Sequence, residues 1–192
     1  MSYSFFAYIS RMRYISRWGL MRNTFPENIQ EHSHMVAVLA HVLAVIRRDH
    51  FGGTIDPGTA AIAALYHDAT EIFTGDLPTP VKYANEDIRA AYKAVEENAA
   101  SRLLNTLPPD LRPAFSEALA PADPELEALV KAADKLSAYI KCLEELKTGN
   151  REFQSAAQQT LEALRACQLP ELEYFMDVFL PAFQCTLDEL EG

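Results

Sequence analysis

Three separated stretches of this chain carry side chains able to hold a divalent cation: His32, the adjacent pair His67 and Asp68, and Asp134. Two imidazoles and two carboxylates form a mixed nitrogen and oxygen donor set. Such a set suits a divalent transition metal that keeps open positions for water. Taken singly, each residue says little. A His-Asp dipeptide arises easily by chance, His32 reads equally well as a core or surface histidine, and Asp134 reads as an ordinary ion-pair partner of Lys131, Lys135 or an arginine elsewhere. Position sharpens the reading. Asp134 follows Val130 by four residues and Ala133 by one, inside or at the edge of an apolar helical stripe. A carboxylate there is costly unless it is paired or bound to a cation. His34 and His41, seven residues apart, share a helix face, whereas His32 and His34 point away from each other.

Helix start and stop signals around these residues are well marked. Asn28 with Glu31 three residues on predicts a capped helix start before the apolar run from Met35 to Ile46, with a stop near Gly52 and Gly53. Asp56 and Pro57 predict an N-cap and a proline at N1 for a helix through Ile62, Leu65 and Tyr66. His67 and Asp68 fall at its end, where the chain turns towards residues 74–80, a loop whose glycine and two prolines forbid a continuous helix. An amphipathic segment is expected from about Asn85 to Leu107, with Ile88, Tyr92, Val95 and Leu103 in register, broken by Pro108 and Pro109 before a short helix. Asp123 and Pro124 open a long helix ending near Gly149 and Asn150, with apolar positions at Leu126, Leu129, Val130, Ala133, Leu136, Ile140 and Leu143. Two further helical stretches fill 151–167 and 170–190, the second interrupted at Pro181. No segment has the alternation or β-branched density of a strand. The expected fold is all-α, one domain over residues 1–192 with six to eight helices.

Composition agrees. The chain has 192 residues, 28 of them alanine against only 7 glycines and 11 prolines, and 49% are hydrophobic. That balance favours helices and a sizeable core over disorder. A net charge of −10 disfavours a nucleic-acid polymer as partner, because displacing phosphate counterions needs basic groups. A small anionic ligand in a locally positive site remains compatible. Cys142, Cys167 and Cys185 are odd in number, without CxxC spacing, and so suggest a reducing, cytoplasmic setting. No uninterrupted apolar run reaches a bilayer's width, so no membrane association is expected. Arg11, Arg13, Arg17 and Arg22, with no acid in residues 1–26, superficially fit a transit peptide. The expected alternative is an ordinary first helix with Phe5, Phe6, Ile9 and Met12 on one face.

The order His32, His67-Asp68, Asp134 resembles the four-ligand signature of the HD-domain metal-dependent phosphohydrolases. The flanking text is more specific: residues 16–22 (SRWGLMR), 31–33 (EHS), 66–71 (YHDATE), 74–83 (TGDLPTPVKY) and 141–145 (KCLEE). These blocks are similar to those of the bacterial 5′-deoxynucleotidases within that superfamily, and the resemblance runs from Phe6 to about Leu187. It implies an HD-domain helical bundle that hydrolyses deoxyribonucleoside 5′-monophosphates to deoxyribonucleosides and phosphate, working as a homodimer. It further implies one divalent metal held by His32, His67, Asp68 and Asp134, with cobalt(II) expected and manganese(II) possible.

The resemblance also assigns roles. Glu71, three residues after Asp68, would position the attacking water or take its proton, so Glu71, Arg17 and Asp68 form the expected catalytic group. Arg17 matches the phosphate-orienting arginine, whose planar guanidinium suits paired phosphate oxygens. Trp18, the lone tryptophan, matches the residue lying against the sugar at C2′ and disfavouring a 2′-hydroxyl. Asp76, Leu77, Pro78 and Thr79 correspond to the nucleotide-sugar contacts, and His32 and Asp68 also border the substrate. Two positions depart from the pattern: His34, which offers a competing imidazole, and Gly19, where proline is familiar. Other readings within the superfamily are weaker. Cyclic-dinucleotide phosphodiesterases carry a glycine and lysine after the His-Asp pair, and guanosine tetraphosphate hydrolases an acidic pair. Here Ala69, Thr70, Glu71 and Ile72 follow. A non-catalytic nucleotide-binding module is the alternative from another class, and the full ligand set with Arg17 argues against it.

Overall fold

A computed structural model describes residues 2–82 and 84–191. Helices dominate, and the described residues form no strand beyond one isolated antiparallel bridge between Ser16 and Asn28. In chain order the α-helices are α1 (Phe5–Ile9), α2 (Ile29–Phe51), α3 (Pro57–Tyr66), α4 (Glu71–Thr74), α5 (Thr79–Lys82), α6 (Glu86–Leu104), α7 (Arg112–Leu119), α8 (Pro124–Lys147), α9 (Gln154–Arg165), α10 (Pro170–Val178) and α11 (Leu187–Leu190). Seven of these are eight residues or longer, within the expected range.

The centre is a three-helix contact of α2 with α3 and α8. Val36, Ala40, Leu43 and Ala44 of α2 are fully buried against Ala60 and Ala64 of α3 and Leu129, Ala132, Ala133 and Leu136 of α8. Alanine at so many contact positions lets the helix axes approach closely, which explains much of the alanine excess. Leu164, Leu172 and Phe175 from α9 and α10 close the far side. By length and composition alone α2 could cross a bilayer, contrary to the expectation from uninterrupted runs. Most of its apolar residues, Val36, Leu39, Leu43 and Ile46 among them, instead form the middle of this core.

The expected punctuation is present. Asn28 accepts from the backbone amides of Gln30 and Glu31, while its own amide donates to the Glu31 side chain, a complete capping box. Gly52 ends α2 with φ 70°, the left-handed geometry glycine adopts at no steric cost. Asp56 and Asp123 cap α3 and α8, each followed by proline at N1.

Three expectations are corrected. The N-terminal segment is a short α-helix continued as a 3-10 turn over Ser10–Tyr14, and Phe6, about 100° round the helix from Phe5, does not share the buried face of Phe5 and Met12 and is 60% exposed. Along α6 the apolar stripe is largely unburied: Ala99 and Leu103 are covered, but Ile88 and Val95 are exposed. Within the proline-rich loop, Thr79 and Pro80 begin the short helix α5, because proline is tolerated in a helix's first turn. Tyr83, the last residue of the 74–83 block, lies outside the described residues.

Candidate active site

The three central helices each deliver part of one cluster. His32 lies in the first turn of α2, His67 caps the C-terminus of α3 with Asp68 beyond it, and Asp134 sits midway along α8. Ligating atoms of His32, His67 and Asp68 lie within 4.8 Å of one another. Asp134 Oδ1 is 2.9 Å from His32 Nε2 and 4.0 Å from His67 Nε2. Asp68 Oδ2 is 3.1 Å from His67 Nε2 and 3.6 Å from His32 Nε2. The edge position expected for Asp134 is observed, with its side chain 40% exposed, but its partner is His32, not Lys131 or Lys135.

Both imidazoles are anchored from behind. His67 Nδ1 lies 2.7 Å from the Ala64 carbonyl, which can only accept, so Nδ1 carries a proton. His32 Nδ1 lies 3.2 Å from the Ser137 hydroxyl. Each ring therefore turns Nε2 towards the carboxylates, and the buried His67 Nε2, although 3.1 Å from Asp68 Oδ2, has no aligned hydrogen-bond partner among the described residues. Anchoring through one ring nitrogen is how ligating histidines are oriented. Electrostatics point the same way. Burial pushes the His67 imidazole down, but Asp68 and Asp134 outweigh it and hold its pKa at about 9. Burial raises Asp68, yet His67, His32 and Arg17 keep it well below the carboxylate range. A pocket that draws a proton this strongly onto an imidazole facing two carboxylates is built for a cation. His32, His67 and Asp68 fit a divalent metal site.

Glu71, in the first turn of α4, is buried, and its Oε2 has no partner among the described residues. Burial, then the Asp68 and Asp76 charges, push its carboxyl up to about 9. Gly75, at φ 73° and ψ 164°, makes the sharp exit from α4 that carries the chain to Asp76.

Arg17 and Trp18 come from a segment without helix. Residues 15–17 pair backbone to backbone with 27–29: the Arg17 amide donates to the Glu27 carbonyl at 2.9 Å, and the Ile29 amide to the Ile15 carbonyl at 3.0 Å. Arg17 Nη1 reaches Asp68 Oδ2 at 3.3 Å, and its Nε donates to Glu27 Oε2 at 3.1 Å. Burial works against the guanidinium charge, but Asp68, Asp134 and Glu27 more than restore it. Trp18 has φ 59°, a left-handed backbone that costs a bulky residue about 1–3 kcal/mol. Its ring packs against Phe153 at 5.2 Å, and its backbone amide beside Asp76 works to hold that carboxyl down. Burial lifts the Asp76 carboxyl despite nearby Arg17. Asp76, Leu77 and Pro78 are half-buried, whereas Thr79 is exposed at the start of α5.

Of the two departures, His34 is exposed on α2, two residues from His32 and so on another face. It offers the cluster no imidazole. A Cβ at Gly19 would meet nothing within 4 Å, so glycine there answers no packing need.

Three residues without an assigned role in the sequence reading turn out to shape this region. Glu27 holds Arg17 and Trp18. Lys141 and Glu145 of α8 fasten the rest of the segment: Glu145 accepts from the amides of Thr24 and Phe25, and Lys141 donates to the Phe25 carbonyl and to Glu145. A sequence signal exists for the α8 pair. Asp134, Ser137, Lys141 and Glu145 follow each other by three, four and four residues, a polar stripe on one helical face.

A family model for 5′-deoxynucleotidase YfbR-like proteins matches residues 4–183. A 5′-deoxynucleotidase of Vibrio cholerae is 49% identical over 188 residues, covering 97% of both chains. Among solved structures, an HD-domain phosphohydrolase from Listeria innocua superposes with a TM-score of 0.81, at 22% identity, over 98% of this chain and 92% of its own. The cyanophage S-2L HD phosphohydrolase, solved with dA and one catalytic zinc ion, superposes with a TM-score of 0.67, at 22% identity, over 94% and 96%.

Proposed function

The chain belongs to the YfbR-like 5′-deoxynucleotidases, HD-domain phosphohydrolases, and from that premise we propose how its residues divide the work. The enzyme is a 5′-deoxynucleotidase, hydrolysing deoxyribonucleoside 5′-monophosphates to deoxyribonucleosides and phosphate. The observation carrying the division of roles is the inward turn of both histidines. With Nδ1 of each anchored, Nε2 of His32 and His67 faces the Asp68 and Asp134 carboxylates.

His32, His67 and Asp68 would hold one divalent ion, with Asp134 as the fourth protein ligand. Cobalt(II) is the metal proposed and manganese(II) the alternative. When bound, the cation supplies a Lewis acid that draws charge from a phosphoryl oxygen and lowers the pKa of water. Arg17 orients the phosphate. Its Nε and Nη1 are taken by Glu27 and Asp68, leaving Nη2 for a phosphate oxygen. Glu71 positions the attacking water and, once a bound cation offsets the Asp68 and Asp76 charges that raise its carboxyl, would be ionised and accept the proton. Buried and unpartnered at Oε2, it is the carboxylate best poised for proton transfer here. As the bond between phosphorus and the 5′-oxygen breaks, a proton returns to that oxygen, and nucleoside and phosphate leave. Trp18 lies against C2′ of the sugar, Asp76 accepts from the 3′-hydroxyl, and Leu77, Pro78 and Thr79 line the sugar's other side.

The same reading takes residues 1–192 as one HD-type domain acting in the cytoplasm as a homodimer. Large apolar side chains left exposed on α2 and α3, including Val38, Phe51, Ile62 and Leu65, support a partner surface.

The test compares two substitutions for metal content and phosphate release. Asp68→Ala is expected to lose both, since a ligand and a neutralising charge leave together. Glu71→Ala is expected to keep the metal and lose about 10²–10⁴-fold in turnover. Loss of the metal in Glu71→Ala would overturn the division of roles.

A further inference from the structure

The one side-chain donor of Trp18 and the Nε donor of Arg17 converge on one atom. Glu27 Oε2 accepts from Trp18 Nε1 at 2.9 Å and from Arg17 Nε at 3.1 Å. Glu27 is itself fixed: its carbonyl accepts the Arg17 amide at 2.9 Å, and its side chain is 15% exposed. The two residues it touches stand next to each other, yet the reading above gives them separate tasks, phosphate and sugar. Trp18 has a left-handed backbone, at φ 59°. A bulky residue keeps that backbone only where its surroundings over-determine it. Two contacts do so: the ring on Phe153 and the indole N–H on Glu27.

We infer that Glu27 is a positioning residue for the deoxynucleotidase reaction, one carboxylate oxygen that sets the angle of the sugar-facing indole and the phosphate-facing guanidinium together. The inference rests on the roles proposed for Arg17 and Trp18. Its physical content is twofold. The indole's single donor is consumed by Glu27, so only carbon faces remain for the sugar, and a 2′-hydroxyl beside them finds no partner. Arg17, pinned at Nε by Glu27 and at Nη1 by Asp68, cannot rotate about its long stem. Its remaining edge is therefore presented in one direction. Removing Glu27 frees both side chains while leaving His32, His67, Asp68 and Asp134 in place.

Trp18 is the chain's lone tryptophan, so fluorescence reports this contact without added probes. In the metal-loaded Glu27→Ala protein, acrylamide should quench Trp18 more readily and its anisotropy should fall, with metal content unchanged. The ratio of kcat/KM for deoxyadenosine monophosphate over adenosine monophosphate should drop about five-fold or more, the loss expected when a buried hydroxyl is no longer left unpaired. Glu27→Gln keeps an acceptor oxygen but not the charge. It should retain native quenching and most of the sugar preference while losing kcat through the slackened Arg17. Native quenching and a native ratio in both variants would overturn the inference. Trp18→Ala separates this from failure of the underlying reading. A ratio unchanged in Trp18→Ala would remove the sugar role itself, whereas a changed ratio there beside an unchanged one in Glu27→Ala would sink Glu27 alone.

Discussion

At the scale of single residues, the site is a problem of two opposed charges in little space. Asp68 alone faces His67, His32 and Arg17 within 3.6 Å, so its substitution is expected to disturb both the proposed ligation and the proposed orientation of the phosphate. Arg17 and Trp18 should separate cleanly. Arg17→Ala lowers activity on deoxyribonucleotides and ribonucleotides about equally, because both carry the same phosphate. Trp18→Ala lets water reach a 2′-hydroxyl, relaxing preference for the deoxy sugar by roughly five- to 150-fold, the equivalent of about 1–3 kcal/mol. Relative kcat/KM on the deoxyadenosine and adenosine monophosphates measures both. At this scale the sequence was informative about what could bind a metal, since His and Asp announce themselves by type. Glu27 escaped notice because nothing local distinguishes it: its function depends on a backbone pairing that returns residue 27 to residue 17.

At the scale of elements, α8 carries more of the site than any other helix. Asp134 faces the histidines, Ser137 braces His32, and Lys141 with Glu145 ties down the segment bearing Arg17 and Trp18. Burial tends to raise the Glu145 carboxyl, but hydrogen bonds from Lys141, Asn150 and the Thr24 and Phe25 amides hold its pKa at about 2. A folded value below the ordinary 4.5 means that the contribution to stability is complete above pH 4.5. It is lost as pH falls from there towards about 2. Glu145→Gln leaves Lys141 buried without its counter-ion, so it should cost about 3–5 kcal/mol near neutrality. It should also flatten the acid limb of the stability curve in that window. Urea denaturation at pH 7, 4.5 and 3 tests this, and an unaltered pH dependence would show that Glu145 contributes little through its charge. Helix boundaries at Asn28, Asp56 and Asp123 were legible because caps are local chemistry. The outward face of α6 was not, since periodicity reveals a stripe but not whether a neighbour covers it.

At the scale of the whole molecule, the metal cluster rests on a core that does not need it. Leu43, Leu129 and Leu136 are fully buried around the α2, α3 and α8 contact, so removing the metal should abolish activity and leave the helices folded. Circular dichroism after chelation is expected to retain its helical signal, with a lower Tm because a ligand specific to the folded state has been withdrawn. Collapse of the helical signal would point instead to a structural metal. All-α architecture was readable from alanine content and capping alone. The meeting of His32, His67, Asp68 and Asp134 was not, because it depends on three helices closing over one another across more than a hundred residues of sequence.

In the mechanism proposed, one divalent ion per chain, held by His32, His67, Asp68 and Asp134, makes the cluster a deoxynucleotidase centre. Titrating metal-free protein with cobalt(II) while following phosphate release from deoxyadenosine monophosphate tests it most directly. Activity should climb linearly and level off at one equivalent, and the Asp68→Ala protein should stay silent throughout. Phosphate release that is independent of added metal, or one bound equivalent with no release, would contradict the claim.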